Sequence, residues 1–245
     1  GLDGAAYGIS TACSSGIKAF STAKRLIESG ICDAAIVGGT DELSRFPLAG
    51  FKSLEVLSEK RSNPFSQNRC GMNISESAAI FLVEKEGAGI NILGIGETSD
   101  AYHAATPDPE GTQAVRAITL ALNEANLAPN DIDYINLHGT GTITNDLMEG
   151  NAISKVFGNK TPASSTKPLT GHCLGAAASI ETAICYALLT NNQNILPPHI
   201  YDGEYDTAIR QINLVSPNTK IEKMEYVMCN AFGFGGTNAV MVMGK

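Results

Sequence analysis

Cys13 is the residue of this chain with the clearest potential for chemistry. It lies in the segment ISTACSSG, residues 9–16, between a short apolar run and a stretch in which apolar residues recur at helical spacing up to Gly30. The free N–H groups and the positive dipole end of a helix N-terminus favour the thiolate, which is the nucleophilic form of cysteine. The sequence therefore predicts a nucleophilic thiol. The alternative is a buried structural cysteine, since free cysteines are often buried.

Two histidines lie where a hydrogen-bond donor could act on a substrate. His138 follows the apolar run 134–137, at the carboxyl end of a predicted strand, where open α/β sheets place their ligands. It begins the segment HGTGT, in which glycines allow close backbone approach and two threonines supply hydroxyl groups. His172 stands five residues after Lys167 and just before an Ala-rich helical pattern. A helix N-terminus disfavours imidazolium, so we expect His172 to be neutral.

Alternating strand and helix patterns position these residues. Strands are predicted over residues 34–37, 78–83, 90–96, 134–137, 162–165, 226–230 and 239–243, and helices over residues 14–30, 115–125, 145–157 and 177–188. Asn145 and Asp146 are the predicted caps of the third helix. The polar stretch 52–69 is predicted to be a surface loop, and Gly87-Ala88-Gly89 marks the predicted boundary between two halves.

The composition indicates a globular protein from a reducing compartment. Of 245 residues, 43% are hydrophobic and 17% are charged, which is enough for a large core. A formal net charge of −8 argues against nucleic acid or an anionic membrane surface as partner. The six cysteines form no Cys-x-x-Cys pair and no zinc-type cluster with histidine, so no metal is expected. We expect a cytoplasmic location, because no apolar run approaches the ~18 residues of a membrane span.

Four motifs follow one another along the chain. They are TACSSG at residues 11–16, HGTGT at 138–142, TKPLTGH at 166–172 and NAFGFGGTN at 230–238. Together they resemble the elongating β-ketoacyl-acyl carrier protein synthases. The resemblance runs from residue 1 to residue 245 and implies the C-terminal portion of such an enzyme.

The family implies a thiolase-like α/β fold, layered α-β-α-β-α, with five-stranded sheets. Residues 1–90 would be the remainder of the N-terminal half, which carries the nucleophile. Residues 91–245 would form the C-terminal half, which carries the two histidines.

The resemblance also implies a reaction, the decarboxylative Claisen condensation that makes a 3-oxoacyl-carrier protein in fatty-acid, polyene or polyketide-like biosynthesis. Cys13 would hold the acyl chain as a thioester, and His138 and His172 would bind the malonyl thioester carbonyl and stabilise the enolate. The backbone N–H groups of Cys13 and Phe234 would form a second oxyanion hole. Phe234 would also gate the acyl pocket.

Further residues take supporting roles if the resemblance holds. Lys167 would be a charge near His172 and would pair with Glu181. Thr140 and Thr142 would hydrogen-bond the phosphopantetheine arm, which arrives on the acyl carrier protein, so no other cofactor is implied. The remaining implied residues are Phe232 behind the gate and Asp146 and Glu149 as supports. A homodimer, or a heterodimer with a related synthase subunit, is the implied assembly.

Lys60 and Arg61 lie in a basic stretch of an otherwise acidic chain. We predict that they dock the acidic carrier protein, where charge mainly sets the rate of encounter. The alternative is an ordinary solvated face.

The family pattern is broken at residues 70–77, which read CGMNISES where the family usually has DGFVxGEG. Because this segment lies near pocket and interface in relatives, a specialised polyene or polyketide-like substrate is an alternative to membrane fatty acids. Two other functions stay open. A thiolase would need a second cysteine where Phe234 stands. A non-catalytic partner subunit of the chain-length-factor type would lack the nucleophile that Cys13 supplies.

Overall fold

The structure, a computed structural model, describes residues 3–87, 89–191 and 193–245. Its strands are Ala34–Asp41 (β1), Ser77–Glu84 (β2), Asn91–Ser99 (β3), Tyr134–Asn136 (β4), Pro162–Ser164 (β5), Asn213–Leu214 (β6), Tyr226–Gly233 (β7) and Thr237–Gly244 (β8). Its helices are Ser15–Glu28 (α1), Arg45–Ser53 (α2), Thr112–Ala125 (α3), Ile143–Phe157 (α4), Lys167–Thr170 (α5) and Ala177–Thr190 (α6). Ala88, in the predicted boundary, lies outside the described residues, and the division into two halves at residue 90 stays a prediction.

The strands form two sheets. β1 and β2 pair antiparallel, and the other six strands follow the order β3-β8-β7-β4-β5-β6. β4 runs parallel to both β5 and β7, whereas β3 and β7 are antiparallel to β8. The sheet has one strand more than the five that the resemblance implies. The additional strand is β6, two residues long, on the edge beside β5.

The hairpin of β7 and β8 is buried on both faces, which explains its almost continuous apolar sequence. Successive side chains of a strand point to opposite faces. Met228 and Val240 accordingly join the core beneath α3 and α4, whereas Val227 and Met241 join the core shared with α1 and α6. The two cores lie on either side of one sheet.

The layers follow from these two cores. In order they are α3 with α4, the six-stranded sheet, α1 with α6, and the sheet of β1 and β2. Ile36, Ile80 and Leu82 on the outer face of that last sheet are exposed. The described residues thus form four of the five layers in the predicted α-β-α-β-α order.

A close approach of α3 to β3 requires glycine in the strand. A Cβ atom at Gly96 would collide with the carbonyl oxygen of Ala117 in α3, and one at Gly94 would collide with that of Ala121. Because side-chain repacking cannot relieve a clash with backbone, only glycine lets the helix lie this near the sheet.

Most predicted elements are present, but four local predictions were wrong or incomplete. Asn145 and Asp146 lie within the first turn of α4, and Thr142 is the residue at the N-cap position. The helices α2 and α5 were not predicted, and α2 buries no residue. Arg69 was placed in a surface loop but is buried, with Asp206, the carbonyl oxygen of Ser66 and that of Ile143 as its partners. No described helix is long and apolar enough to cross a membrane.

Candidate active site

Cys13 lies in a tight turn that leads into α1. Ala12 has a φ of 52°, in the left-handed region that costs energy for a residue with a Cβ atom. The Ser15 hydroxyl stabilises the turn by accepting a hydrogen bond from the Thr11 N–H (2.9 Å) and donating one to the Ala12 carbonyl oxygen (2.6 Å). This geometry places the Cys13 sulfur in a cleft while only 6% of the residue stays exposed.

The turn between β7 and β8 packs against the backbone of the cysteine. A Cβ atom at Gly233 would lie 3.1 Å from the Cys13 nitrogen, a tight contact that a side chain could enter only if the cysteine backbone shifted slightly. The hydroxyl of Ser14 is hydrogen-bonded to that of Thr237 at 2.6 Å, across 223 residues of sequence, and to that of Thr11 at 3.0 Å. These contacts hold the glycine turn and the cysteine turn together.

Both predicted histidines converge on Cys13. His138 follows β4, and His172 follows the short helix α5. The Nε2 atom of His172 lies 3.1 Å from the Cys13 sulfur, and the two imidazole rings are 5.4 Å apart at 87° to each other. All three side chains are buried and line the same cleft. The structure therefore assembles a Cys-His-His set from residues up to 159 positions apart.

The segment that departs from the family pattern holds the backbone of His172. The His172 N–H donates to the Asn73 carbonyl oxygen (2.7 Å), and the Ser75 N–H donates to the His172 carbonyl oxygen (3.2 Å). Met72, from the same segment, lines the cleft. Residues 70–77 thus touch both the pocket and a histidine, although their sequence differs from the usual one.

Lys167 is buried beside the histidines, 1% exposed, and forms the predicted ion pair with Glu181. Its Nζ atom lies 3.5 Å from Nδ1 of His138. An ammonium group only donates, so Nδ1 of His138 must accept and the proton of the neutral ring sits on Nε2. The pairing of Lys167 with Glu181 is confirmed.

Burial governs the charge state of the site. It holds the pKa of His138 and that of His172 well below the usual range, and the positive charge of Lys167 lowers both pKa values further. Both imidazoles are therefore neutral at physiological pH, which agrees with the expectation for His172.

The expected lowering of the Cys13 pKa is wrong. Burial raises the pKa of the thiol to about 11, although the Lys167 charge and the backbone N–H groups of Phe234 and Cys13 act to lower it. Desolvation of the thiolate is the largest effect and outweighs the donors at the start of α1. Cys13 is thus a thiol at rest, and Nε2 of the neutral His172 lies 3.1 Å from its sulfur.

Glu149 anchors the backbone that carries His138. Its two carboxylate oxygens accept hydrogen bonds from the N–H groups of His138 and Gly139, each at 2.7 Å, and Oε1 also accepts one from the Asn230 amide at 3.3 Å. Burial raises the pKa of Glu149 to about 7. The carboxylate has no contact with the cleft and acts through the histidine backbone.

Asp146 anchors the next part of the same loop. Its carboxylate accepts hydrogen bonds from the N–H groups of Phe65 (2.9 Å) and Gly141 (3.2 Å), and Nε of Arg69 lies 3.8 Å away. Burial raises the pKa of Asp146, against the effect of these donors. Both predicted supports therefore contact the HGTGT loop.

The cleft carries the remaining predicted residues. The hydroxyl groups of Thr140 and Thr142 are 2.9 Å apart and both residues line it, as do Phe232 and Phe234. The Phe234 ring packs against Phe51 of α2 at 5.7 Å between centroids. The sequence offered no sign of Phe51 as a pocket residue, because α2 itself was not predicted.

Lys60 and Arg61 are exposed beside the same loop. The next residue, Ser62, donates a hydrogen bond from its hydroxyl to the Thr140 carbonyl oxygen (3.0 Å). The Asn73 side chain donates to the Lys60 carbonyl oxygen (2.9 Å). The basic pair is thus attached to the rim that carries Thr140, and its role in docking stays a prediction.

His199 is a buried histidine that the sequence analysis did not single out. Its Nδ1 accepts a hydrogen bond from the Ser165 N–H (3.1 Å), and Nε2 faces the Pro64 carbonyl oxygen (3.0 Å). The Ser165 hydroxyl in turn donates to the Gly139 carbonyl oxygen (2.6 Å). His199 thereby connects the loop before Phe65 to the strand end beneath His138. His199 follows two prolines in a segment without apolar periodicity, so the sequence does not indicate that it is buried.

We expect His199 to make stability fall on acidification. Burial lowers its pKa from 6.5 to about 4, so the unfolded chain binds a proton in a range where the folded protein does not. The stabilisation is complete above pH 6.5 and is lost as the pH falls towards 4, and it amounts to about 3 kcal/mol over that range. Urea unfolding of His199→Asn, whose amide oxygen can still accept from Ser165, should lack this loss between pH 7 and pH 4.5.

The quantity compared is the difference in the free energy of unfolding between wild type and variant at each pH. The contributions of the other titrating groups cancel in this difference. His103→Asn, at an exposed histidine, serves as the control and should keep the wild-type pH dependence. The prediction would be contradicted if the free energy of unfolding fell by the same amount with decreasing pH in His199→Asn and in wild type.

The same three side chains are those in the described part of the chain that could hold a metal ion. The ligand atoms of Cys13, His138 and His172 lie within 4.8 Å of one another. One thiol and two imidazoles suit zinc. Without an ion, the same thiol and imidazoles are available for acyl chemistry.

Comparison with known proteins identifies the family of the chain. The family model "Beta-ketoacyl synthase, N-terminal domain" matches residues 1–88, and "Beta-ketoacyl synthase, C-terminal domain" matches residues 90–201. The chain belongs to the β-ketoacyl synthase family. With the layered sheets described above, the fold of the chain is thiolase-like.

Curated relatives match nearly the whole length of the chain. It is 38% identical over 263 residues to 3-oxoacyl-[acyl-carrier-protein] synthase 2 of Coxiella burnetii, with 100% of this chain and 63% of that protein covered. It is 37% identical to nodulation protein E of Rhizobium leguminosarum bv. trifolii, with 98% and 62% covered. The chain therefore spans somewhat less than two thirds of the length of these relatives.

Solved structures superpose closely. A ketosynthase (ApeO) in complex with its chain length factor (ApeC) from Xenorhabdus doucetiae matches with a TM-score of 0.94 and 46% identity, over 97% of this chain and 59% of that one. A β-ketoacyl synthase from Burkholderia phymatum matches with a TM-score of 0.90 and 32% identity, over 96% and 60%.

Proposed function

We propose that this synthase catalyses the decarboxylative Claisen condensation of a malonyl-carrier thioester with an acyl group held on Cys13, which gives a 3-oxoacyl-carrier protein. The observation that carries the proposal is the convergence of Cys13, His138 and His172 in one buried cleft. Nucleophile, proton acceptor and hydrogen-bond donor are then within reach of a single thioester.

In the first half-reaction the Cys13 sulfur attacks the carbonyl carbon of an acyl-carrier thioester. His172 takes the thiol proton through Nε2, at 3.1 Å, as the carbon–sulfur bond forms. The carbonyl oxygen becomes an oxyanion that the N–H groups of Cys13 and Phe234, which face the sulfur, can stabilise. The carrier thiolate leaves and recovers the proton, and Cys13 is acylated.

In the second half-reaction a malonyl thioester loses CO2. The bond between the carboxylate carbon and the α-carbon breaks, and its electron pair forms an enolate whose oxygen receives hydrogen bonds from the two imidazoles. His138 carries its proton on Nε2 for the reason given above, and His172, which returned the thiol proton to the carrier, donates once its remaining ring proton has moved from Nδ1 to Nε2. The neutral state of both rings lets them donate without surrendering a proton to the enolate. The enolate carbon then attacks the acyl-Cys13 carbonyl, the carbon–sulfur bond breaks, and the Cys13 thiolate leaves and takes up a proton from solvent to restore the thiol.

Two alternatives are less well supported. A thiolase would use a second cysteine in the turn between β7 and β8, where Phe234 lines the cleft. A chain-length-factor-like subunit would lack the nucleophile. This chain has Cys13, and both histidines lie in the same cleft as that residue. Several curated relatives at 34–38% identity are named as 3-oxoacyl-[acyl-carrier-protein] synthases, which also favours the enzyme.

The pathway, partners and location belong to the same proposal. Structures similar to this chain are described as ketosynthases complexed with a chain length factor, and one as bound to a type II polyketide acyl carrier protein. These names support an acyl carrier protein and a related subunit as partners, and polyene or polyketide-like biosynthesis as an alternative to fatty-acid synthesis. We place the enzyme in the cytoplasm, where its six free thiols would persist, and we include no cofactor beyond the phosphopantetheine arm.

The proposal is tested by following the acyl group. The intact protein is incubated with acyl-carrier thioesters of several chain lengths, and the mass of the Cys13 peptide is measured before and after malonyl-carrier is added. We expect an acyl adduct on Cys13 that disappears as a 3-oxoacyl product forms. An active protein in which Cys13 is never acylated would contradict the proposal.

Charge reversal of Lys60 and Arg61 should weaken recognition of the carrier. We expect Glu at both positions to raise the KM for the carrier substrate by about tenfold at low salt, with a smaller effect at high salt, because rim charges steer association. The KM for a small acyl-pantetheine should not change. Glu at Lys160 and Lys220, both exposed and outside the cleft, makes the same change in net charge and is the control. Equal KM values for the two double variants would place the docking surface elsewhere.

A further inference from the structure

Asn145 is a polar side chain of the cleft to which the proposed reaction assigns no role. It lies in the first turn of α4, three residues after Thr142, and lines the cleft together with Thr140 and Thr142. It is 8% exposed, so its amide is largely removed from bulk water. A polar group in this position needs a partner when the cleft is filled.

The neighbouring carboxylate sets the orientation of this amide. Nδ2 of Asn145 donates to Oδ1 of Asp146 at 3.1 Å, and this oxygen also accepts from the Gly141 N–H at 3.2 Å. The other carboxylate oxygen of Asp146 accepts from the Phe65 N–H. A carboxylate surrounded by donors can only accept, so the nitrogen of Asn145 must face it. The oxygen of Asn145, Oδ1, is then left as an acceptor without a partner among the described residues.

The two threonines supply a donor in the same turn. Their hydroxyl oxygens are 2.9 Å apart, and one of the two hydroxyl protons lies between them. Thr140 Oγ1 also accepts from the Thr142 N–H at 3.3 Å. The second hydroxyl proton therefore remains available for an acceptor in the cleft. The threonine pair thus offers a donor and Oδ1 of Asn145 offers an acceptor, which together are the complement of a secondary amide.

We propose that Asn145 is a substrate-binding residue that accepts a hydrogen bond from an amide N–H of the thioester arm. The inference rests on the proposed function, since the arm that delivers malonyl groups carries secondary amides. A simple alkyl thioester has none. Asn145 thereby favours amide-bearing thioesters through its carboxamide oxygen, in addition to the contacts expected from Thr140 and Thr142.

The test pairs a protein variant with a change of one atom in the substrate. The intact protein, acylated on Cys13, receives either the malonyl thioester of N-acetylcysteamine or that of 2-acetoxyethanethiol, in which an ester oxygen replaces the amide N–H. For wild type we expect kcat/KM to be about tenfold lower with the ester, mainly through KM, as for the loss of one hydrogen bond. For Asn145→Ala we expect the amide substrate to be about tenfold worse and the two substrates to be equivalent.

Controls separate the possible failures. Asn151→Ala, in the same helix but outside the cleft, should keep the wild-type preference, and Asn145→Ser repeats the test if the alanine variant melts early. A variant at Asn145 that still distinguishes amide from ester as wild type does would overturn the inference. Equal kcat/KM values of wild type for the amide and the ester substrate would also overturn it. If wild type condenses no malonyl thioester at all, the proposed function fails first.

Discussion

Cys13→Ala should abolish condensation and still release CO2 from the malonyl thioester. Without the sulfur no acyl-enzyme forms, so we expect 3-oxoacyl product to fall by ~10⁴-fold or more, as for other covalent nucleophiles. The enolate is stabilised by His138 and His172, which the variant keeps. Product is measured by mass spectrometry and CO2 by release of label from the malonyl carboxylate.

His172→Ala should lose both activities, because its imidazole serves the thiol in one half-reaction and the enolate in the other. Cys70→Ala, at an exposed cysteine outside the cleft, is the control and should behave as wild type. Equal release of CO2 by Cys13→Ala and His172→Ala, or no CO2 from Cys13→Ala, would refute the division of roles.

Glu181→Ala should destabilise the protein by about 3–5 kcal/mol, because it leaves the Lys167 ammonium buried without a counter-charge. The ion pair is 1% exposed on both sides, so water cannot replace the lost carboxylate. The free energy of unfolding is measured with urea at pH 7. For comparison, Lys155→Met breaks the exposed pair with Glu110, and we expect a loss of at most about 1 kcal/mol. Comparable losses for the two variants would contradict this account.

The double variant Lys167→Met/Glu181→Leu separates stability from catalysis. Apolar side chains of similar volume can replace a buried ion pair at little cost, so most of the stability lost in Glu181→Ala should return. Activity should stay below that of wild type but remain measurable. Without the Lys167 charge, the pKa values of His138 and His172 move up, because that charge lowers both. The acidic limb of the pH–rate profile should therefore shift to higher pH. A double variant with wild-type activity and an unshifted profile would show that the pair has only a structural role.

The sequence alone predicted that Cys13, His138 and His172 belong to one site, and the structure brings these three residues together. The chemistry of the residues in the four motifs depends on the local backbone. Examples of such backbone are the turn before α1 and the glycine turn beside Cys13. The apolar runs of β7 and β8 and the helical spacing of α1 and α3 also predicted their elements, because burial of a strand or of one helix face leaves a periodic pattern. Even the partner of Lys167 could be named, since the resemblance implied Glu181.

Only the tertiary structure decided the electrostatics of the site. The pKa of Cys13 is raised because the cleft removes the thiol from water, and no residue near it in sequence reveals that burial. Arg69 is buried for a related reason. Asp146 and Asp206, at sequence distances of 77 and 137 residues, surround it and offset the loss of hydration.

The free acceptor of Asn145 and the buried contacts of His199 likewise depend on partners from distant loops. A sequence pattern records which faces of an element are apolar. It does not record which polar groups meet across the cleft, and here those contacts set the protonation states and the hydrogen bonds available to a substrate.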